Sequence, residues 1–152
     1  MILTAHLLTG AAIASKISNP ALAFPLAFLS HYLLDLPPQT EYEVENIKKA
    51  RWHKASSDFL KVFLDIFFGM LLIILFSDGS PIIFAAAFLA IVPDGLHLLN
   101  LIFPRSKPLA WHQRLHSAIN LICNSKIQKR ATWEGIIIQV IIILTAIFLL
   151  RG

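Results

Sequence analysis

Cysteine and charge are both scarce in this sequence. Among its 152 residues there is one cysteine, and 14% of the residues are charged. The single cysteine, Cys123, excludes an intrachain disulfide and any cysteine-rich zinc site, so a bound metal would need nitrogen and oxygen ligands. Soluble domains carry about a quarter charged residues. The low charged fraction therefore argues against a water-soluble fold.

Hydrophobic residues are correspondingly abundant. They account for 57% of the chain, its mean hydropathy is +0.70, and several apolar runs reach the roughly 17 to 25 residues that cross a bilayer as a helix. Lipid requires each crossing to satisfy its own backbone hydrogen bonds. We therefore predict an all-α fold, a polytopic transmembrane helical bundle in a single integral membrane domain at 1–152. The predicted spans are about residues 2–17, 20–36, 59–77, 81–103 and 133–150, with an interfacial helix at 108–124.

Two short turns pair the first four spans into hairpins, at 1–58 and 59–104. The hairpins resemble an internal repeat with an offset of 59 residues. Because each unit contains two helices, the copies would share one orientation about an axis along the membrane normal. The ionisable residues of the repeat would then lie at similar depth, and its glycines would allow close helix packing. The aligned pairs are His6 with Asp65, Gly10 with Gly69, and Asp35 with Asp94.

The basic residues predict the orientation of the bundle. Apart from Lys16 and Arg151, they lie in the loops on the side shared by both hairpin openings. By the positive-inside rule, the N-terminus and the long loops face the cytoplasm and the C-terminus faces outward. Residues 1–17 lack the basic n-region and cleavage site of a signal peptide, so we expect a retained first span. Membrane orientation also explains the pI near 9.5 without nucleic acid, and membrane lipids are the expected partners.

Histidine and aspartate recur inside the predicted spans at helical spacing. His31 and Asp35 stand at i and i+4, and Asp94 and His97 at i and i+3, so each pair shares one helix face. Each ionisable residue within a span costs roughly 2.5–3.5 kcal/mol, which a shared cation would offset. With His6 and Asp65 the set suits one crowded site or two adjacent divalent ions. Zinc fits the imidazoles best, manganese or iron would also be accepted, and hydrogen-bonded packing without metal is the alternative.

The interfacial helix adds further candidates. His112 and His116 lie on one face of it, where they can cap the site as an additional metal ligand and an acid/base group. Arg114 could hold an anionic group such as phosphate. The alternative is an amphipathic helix whose polar side chains meet lipid headgroups. His53 lies in a basic loop and is interpreted as solvated.

At these residues the sequence resembles the membrane-bound metal-dependent hydrolases of the YdjM-like type, small bacterial and archaeal membrane proteins. The resemblance covers roughly residues 1–120 and implies a metal-dependent hydrolase in a prokaryotic cytoplasmic membrane, with His6, His31, Asp35, Asp94 and His97 as metal-site positions. Where relatives often have a histidine after the Asp35 motif, this chain has Pro38-Gln39. The motifs are Thr4-Ala5-His6-Leu7-Leu8-Thr9-Gly10, Leu29-Ser30-His31-Tyr32-Leu33-Leu34-Asp35, Pro93-Asp94-Gly95-Leu96-His97 and, more loosely, His112, Arg114 and His116-Ser117.

Three functions are compatible with these residues. The leading hypothesis is a membrane-embedded hydrolase that uses divalent metal to cleave an ester, preferably a phosphoester, of a lipid or interfacial substrate at the cytoplasmic face. The second is a non-enzymatic metal-binding protein, or a transporter of metal or protons, since intramembrane histidines and aspartates also line ion pathways. The third is a scaffold that binds partners through its loops. The oligomeric state is open.

Overall fold

The computed structural model describes residues 1–37, 40–124 and 133–152, and within them the chain is all helical, with no strand. This confirms the predicted all-α fold. A helix is present at the position of the predicted interfacial helix, 108–124. The helices are α1 (Leu3–Lys16), α2 (Pro20–Leu34), α3 (Glu45–Lys48), a 3-10 turn (Trp52–Lys54), α4 (Ser56–Phe76), α5 (Pro81–Ile102), α6 (Lys107–Asn124) and α7 (Trp133–Arg151).

Three of these helices are long and apolar enough to cross a membrane. They are α4, α5 and α7, with 21, 22 and 19 residues, and they coincide with the predicted spans at 59–77, 81–103 and 133–150. The two N-terminal helices are shorter, with 14 residues in α1 and 15 in α2. At 1.5 Å per residue they extend only about 21 to 23 Å, against about 30 Å of hydrocarbon. Five crossings therefore stay a prediction.

Local sequence explains where the hairpins turn. The Asn19 side chain accepts a hydrogen bond from the Ala21 N–H at 3.0 Å, and Pro20 occupies the first turn of α2, where its missing N–H costs nothing. At the second turn Gly79 has a φ of +74°, a left-handed conformation that favours glycine. Pro81 then opens α5. Both hairpin turns thus lie where the sequence predicts them.

Helix α1 lies at the centre of the bundle and packs against α2, α4, α5 and α7. It contributes Leu7, Leu8 and Ala11 to the core, whereas the surrounding helices expose large apolar side chains, such as Phe63 on α4 and Phe148 on α7. Such an arrangement suits a lipid environment, in which outward faces are as apolar as the interior. The shortest of the apolar helices is therefore the one shielded from lipid.

Glycine permits this central packing, as predicted. A Cβ on Gly10 would lie 2.6 Å from the Ala86 carbonyl oxygen of α5, and one on Gly69 would lie 2.6 Å from Leu7 Cδ1 of α1. These separations are shorter than van der Waals contact, so the two glycines let α5 and α4 approach α1 closely. The repeat itself, with its parallel topology, stays a prediction.

Gln139 connects the last helix to the start of the chain. Its side chain is 5% exposed, its Nε2 donates to the Thr40 carbonyl at 2.7 Å and its Oε1 accepts from the Ile2 N–H at 3.4 Å. This polar side chain inside an apolar helix thus holds the segment after α2 and the first residues of α1 against α7.

Replacing Gln139 by leucine should therefore loosen this junction. Each lost hydrogen bond contributes about 0.5–1.5 kcal/mol net, so we expect the free energy of unfolding of Gln139→Leu, measured by denaturant titration in detergent, to fall by about 1–3 kcal/mol. Val140→Leu, at an exposed position on the same helix, is the matched control and should be neutral. Equal stability of the two variants would contradict a linking role for Gln139.

Candidate metal centre

Five of the candidate side chains meet at one end of the bundle. They come from the first turns of α1, the C-terminal end of α2, the second half of α5 and the middle of α6. Two overlapping groups of potential ligands have donor atoms within 4.8 Å of one another among the described residues. One group is His6, His31 and Asp94, and the other is His31, Asp35 and His116.

Asp35, which ends α2, lies between three imidazoles. Its Oδ1 is 3.4 Å from His6 Nε2, and its Oδ2 is 3.4 Å from His31 Nε2 and 3.5 Å from His116 Nε2. The residue is 3% exposed. The Met1 backbone nitrogen is a further neighbour, 3.3 Å from Oδ1. A buried carboxylate needs such polar or charged neighbours, because an unpaired charge is costly to bury.

His31 is oriented by a hydrogen bond to the backbone of α5. Its Nδ1 lies 2.9 Å from the Ala90 carbonyl oxygen, and since a carbonyl only accepts, Nδ1 carries the proton. Nε2 of the neutral ring therefore presents its lone pair to the cluster, where His116 Nε2 lies 3.1 Å away. Either an N–H of His116 or a cation can occupy this position. A backbone-oriented imidazole is the usual arrangement of a metal-ligating histidine.

His6 stacks on His31, with the ring centroids 4.2 Å apart and an interplanar angle of 25°. It is fully buried. Neither of its ring nitrogens makes a hydrogen bond within the described part of the chain, although Nε2 faces Asp35. Buried polar atoms are nearly always satisfied. These nitrogens are thus well suited to a ligand that the polypeptide itself does not supply.

Asp94 is the accessible member of the cluster. Its Oδ1 lies 3.7 Å from His31 Nε2 and 3.8 Å from His116 Nε2, yet its side chain is 36% exposed, against 5% for Asp35. The two carboxylates therefore differ in role: Asp35 is enclosed by imidazoles, whereas Asp94 borders open space.

His116 and His112 occupy different surroundings although both project from one face of α6. His116 joins the cluster, and the Asp35 carboxylate beside it raises the pKa of His116 above its ordinary value, while burial opposes that rise. His112 instead pairs with Tyr32, whose hydroxyl lies 2.9 Å from Nε2. Burial and the neighbouring His116 lower the pKa of His112. His116, which was predicted as a catalytic group, is thus among the potential ligands. His112, which was predicted as a ligand, is hydrogen bonded to Tyr32 instead.

Two further candidates lie outside the two ligand groups. His97 Nδ1 is hydrogen bonded to Gln113 Oε1, and Gln113 Nε2 donates to Ser117 Oγ at 3.0 Å. Arg114 is exposed, and its position two residues from both His112 and His116 places it on the opposite face of α6. Metal binding by His97 and anion binding by Arg114 stay predictions.

Asp65 has a different set of partners from the one its repeat position predicts. Its carboxylate accepts hydrogen bonds from the Leu3 N–H at 2.6 Å and the Thr4 N–H at 3.0 Å, and from Thr4 Oγ1 at 2.6 Å. It therefore caps the start of α1, where Ile2 offers no capping side chain. Burial raises the pKa of Tyr42, and the neighbouring Asp65 carboxylate raises it further. Asp65 thus fixes the helix that carries His6.

Several other residues complete the account of the candidates. His53 is exposed, as predicted. Asp58 lies outside the cluster and accepts hydrogen bonds from the Asn46 N–H at 2.8 Å and the Ile47 N–H at 3.2 Å. Gln39, where the resemblance leads one to expect a histidine, lies outside the described residues. Tyr32 and Gln113 were missed by sequence reasoning, although each stands three residues before a member of the cluster, Asp35 and His116 respectively.

The cluster fits a divalent cation by three criteria. Its donor set of imidazole nitrogens and carboxylate oxygens suits zinc and its neighbours. His31 presents a lone pair oriented by the backbone, and the His6 nitrogens are buried without a hydrogen bond. The described residues can therefore hold a metal ion, which confirms the predicted capacity to bind metal. The choice of zinc stays a prediction.

No protein-family model matches this sequence, and it matches no curated protein and no solved structure. Function must therefore be inferred from the geometry of the site.

Proposed function

We propose that this protein is a membrane-embedded metal-dependent hydrolase that cleaves a phosphoester of a lipid or interfacial substrate. The observation that carries the proposal is the convergence of three imidazoles and two carboxylates, from four helices, at one buried end of the bundle. Ionisable side chains at such a place are expensive unless they bind something. The resemblance to YdjM-like hydrolases, carried by His6, His31, Asp35 and Asp94, supports the same function.

A single ion accounts for the geometry better than two. His31 belongs to both ligand groups, but its Nδ1 is committed to the Ala90 carbonyl, so only Nε2 can bind metal. One nitrogen lone pair serves one ion. The two groups are therefore alternative descriptions of one crowded site, with His6, His31, Asp35 and Asp94 as its ligands and zinc as the preferred ion.

When bound, a divalent cation supplies Lewis-acid activation of water and of the ester. In the overall reaction a water oxygen bonds to phosphorus, the ester P–O bond breaks, and the departing alcohol takes up a proton. His116, on α6, is placed to handle that proton because its Nε2 lies 3.5 Å from Asp35 and 3.8 Å from Asp94. The Tyr32 hydroxyl fixes the neighbouring His112 by a hydrogen bond. Arg114, on the exposed face of α6, would bind an anionic headgroup at the membrane surface.

The same proposal includes the arrangement in the membrane. We infer five crossings, arranged as two parallel hairpins and a last helix, in the cytoplasmic membrane of a prokaryote, with the cluster on the cytoplasmic side. The concentration of basic residues in the loops near the cluster supports this orientation. A transporter is less well supported, because beyond the cluster the described core of α1 continues as Leu7, Leu8, Ala11 and Ala14, without a polar path.

Elemental analysis of the detergent-purified protein tests the proposal. We expect about one divalent ion per chain in the wild type and close to none in Asp35→Ala and Asp94→Ala, since loss of a ligand costs more than the roughly 10–100-fold in affinity that loss of a supporting residue costs. His116→Ala should keep the metal but lose phosphodiester hydrolysis. His53→Ala, at an exposed histidine, is the control. A wild type without metal, or metal retained in both aspartate variants, would remove the proposal.

A further inference from the structure

A cavity of about 260 Å³ lies between α4, α5 and the segment before α3. Its walls are mostly apolar, with Val62 and Ile66 on α4 and Ile91 and Leu98 on α5. These pairs stand four and seven residues apart, so each helix contributes one continuous face to the cavity. The cavity thus extends along two helices that are long and apolar enough to cross the membrane.

In a membrane, the gap between α4 and α5 is the side of the cavity that would face lipid. Helices α4 and α5 both pack on α1 but make few contacts with each other, and residues of both line the space between them. The outer face of α4 next to this space is apolar and exposed, as Phe63, at 62%, and Leu64, at 46%, show. Aliphatic chains of the surrounding bilayer would therefore meet the gap directly.

The inner wall of the cavity reaches the candidate metal centre. Asp94 and His97 line it, and Asp94 is the carboxylate of the cluster whose side chain is partly exposed, at 36%. Lys48 also lines it, at the loop end, with its Nζ 3.1 Å from Glu41 Oε2. The cavity thus joins apolar walls, a cationic side chain and a partly exposed carboxylate of the cluster.

We propose that this cavity is the chain subsite of the enzyme: one aliphatic chain of an anionic membrane amphiphile enters between α4 and α5, which brings its ester linkage to Asp94. The proposal rests on the hydrolase function and names its substrate class. Small-molecule sites measure roughly 300–1,000 Å³, and an apolar cavity of about 150 Å³ already holds benzene. A space of about 260 Å³ therefore suits a segment of a single chain, not both chains of a diacyl lipid. Lys48 suits the negative charge beside the ester.

Photo-crosslinking tests the subsite without requiring activity or metal. The full chain is reconstituted in phosphatidylcholine vesicles that contain a small fraction of phosphatidic acid with a diazirine on one acyl chain, and crosslinked residues are located by mass spectrometry. We expect labelling of Ile66 and Ile91 that saturates as the probe fraction rises, whereas labelling of exposed Phe63 should rise in proportion. Val62→Trp, which fills the cavity, should lower the labelling of Ile91 about tenfold.

Leu64→Trp is the matched control, because it adds the same ring to the exposed face of α4 and should leave Ile91 labelling unchanged. Both variants should keep the metal content of the wild type, so loss of metal identifies a misfolded variant. If Val62→Trp is misfolded, Ile91→Phe takes its place as the cavity-filling variant, and labelling is then measured at Ile66. Unchanged labelling in the cavity-filling variants overturns the subsite. A wild type without metal but with saturable labelling would sink the hydrolase and leave the chain-binding cavity standing.

Discussion

Replacing His31 by alanine should lower the affinity for metal more than any other single substitution in the cluster. His31 is the one residue shared by both ligand groups, and the Ala90 carbonyl fixes its free nitrogen toward the centre. The affinity for zinc, measured by competition with a chelator, should fall by more than about 100-fold, beyond the range of supporting residues. On the proposed function, zinc at about 100 times its dissociation constant would stabilise the wild type by about 2.7 kcal/mol, and this stabilisation should disappear in His31→Ala.

His97→Ala provides the sharpest comparison for that experiment. The family resemblance implies a ligand at His97, whereas the structure bonds its imidazole to Gln113, outside both groups. We therefore expect His97→Ala to lose no more than about 10–100-fold in affinity, as for a supporting residue. Equal losses of zinc affinity in the two variants would show that His97 is a ligand. Unchanged zinc affinity in His31→Ala would contradict the assignment of His31 as a ligand.

Introducing valine at Gly10 should damage stability and metal binding together. A Cβ there would lie 2.6 Å from the Ala86 carbonyl oxygen and 2.7 Å from Ala90 Cβ, so α5 must move away from α1. Overpacking of this kind costs about 1–3 kcal/mol, occasionally more. Because Ala90 orients His31 and α5 carries Asp94, the displacement should also weaken zinc binding.

The control for Gly10→Val is Gly95→Val, since a Cβ on Gly95 would meet nothing within 4 Å. Both variants place the same β-branched side chain in an apolar helix, so their difference isolates the contact between α1 and α5. Thermal unfolding in detergent and chelator competition give the two readouts. If Gly10→Val kept wild-type values in both, the close approach of the two helices would be unnecessary to the site.

Helical spacing in the sequence correctly predicted several of the close approaches between candidate side chains. His31 and Asp35, four residues apart, do share a face and meet His6 and Asp94 from other helices. Gly10 and Gly69 do mark close helix contacts. These predictions succeeded because spacing along one helix, together with the cost of burying ionisable groups in an apolar chain, restricts where such side chains can point.

The remaining assignments depended on partners that no spacing within one helix reveals. His112 and His116 are equivalent on α6, and only the position of Tyr32 on α2 separates them. Asp65 aligned with His6 in the repeat, yet it caps α1. A signal for that cap was present, because Ile2 cannot accept a hydrogen bond through its side chain and the exposed N–H groups of α1 need an acceptor from elsewhere.

The central position of α1 has a consequence for biogenesis. This helix precedes all the others in the chain, but the helices that enclose it include α5 and α7, which are synthesised much later. Until they arrive, His6 has only part of its final surroundings, in a segment too short to cover the hydrocarbon thickness by itself. Translation that stops before α7 would thus leave the innermost helix without one of the four helices that enclose it.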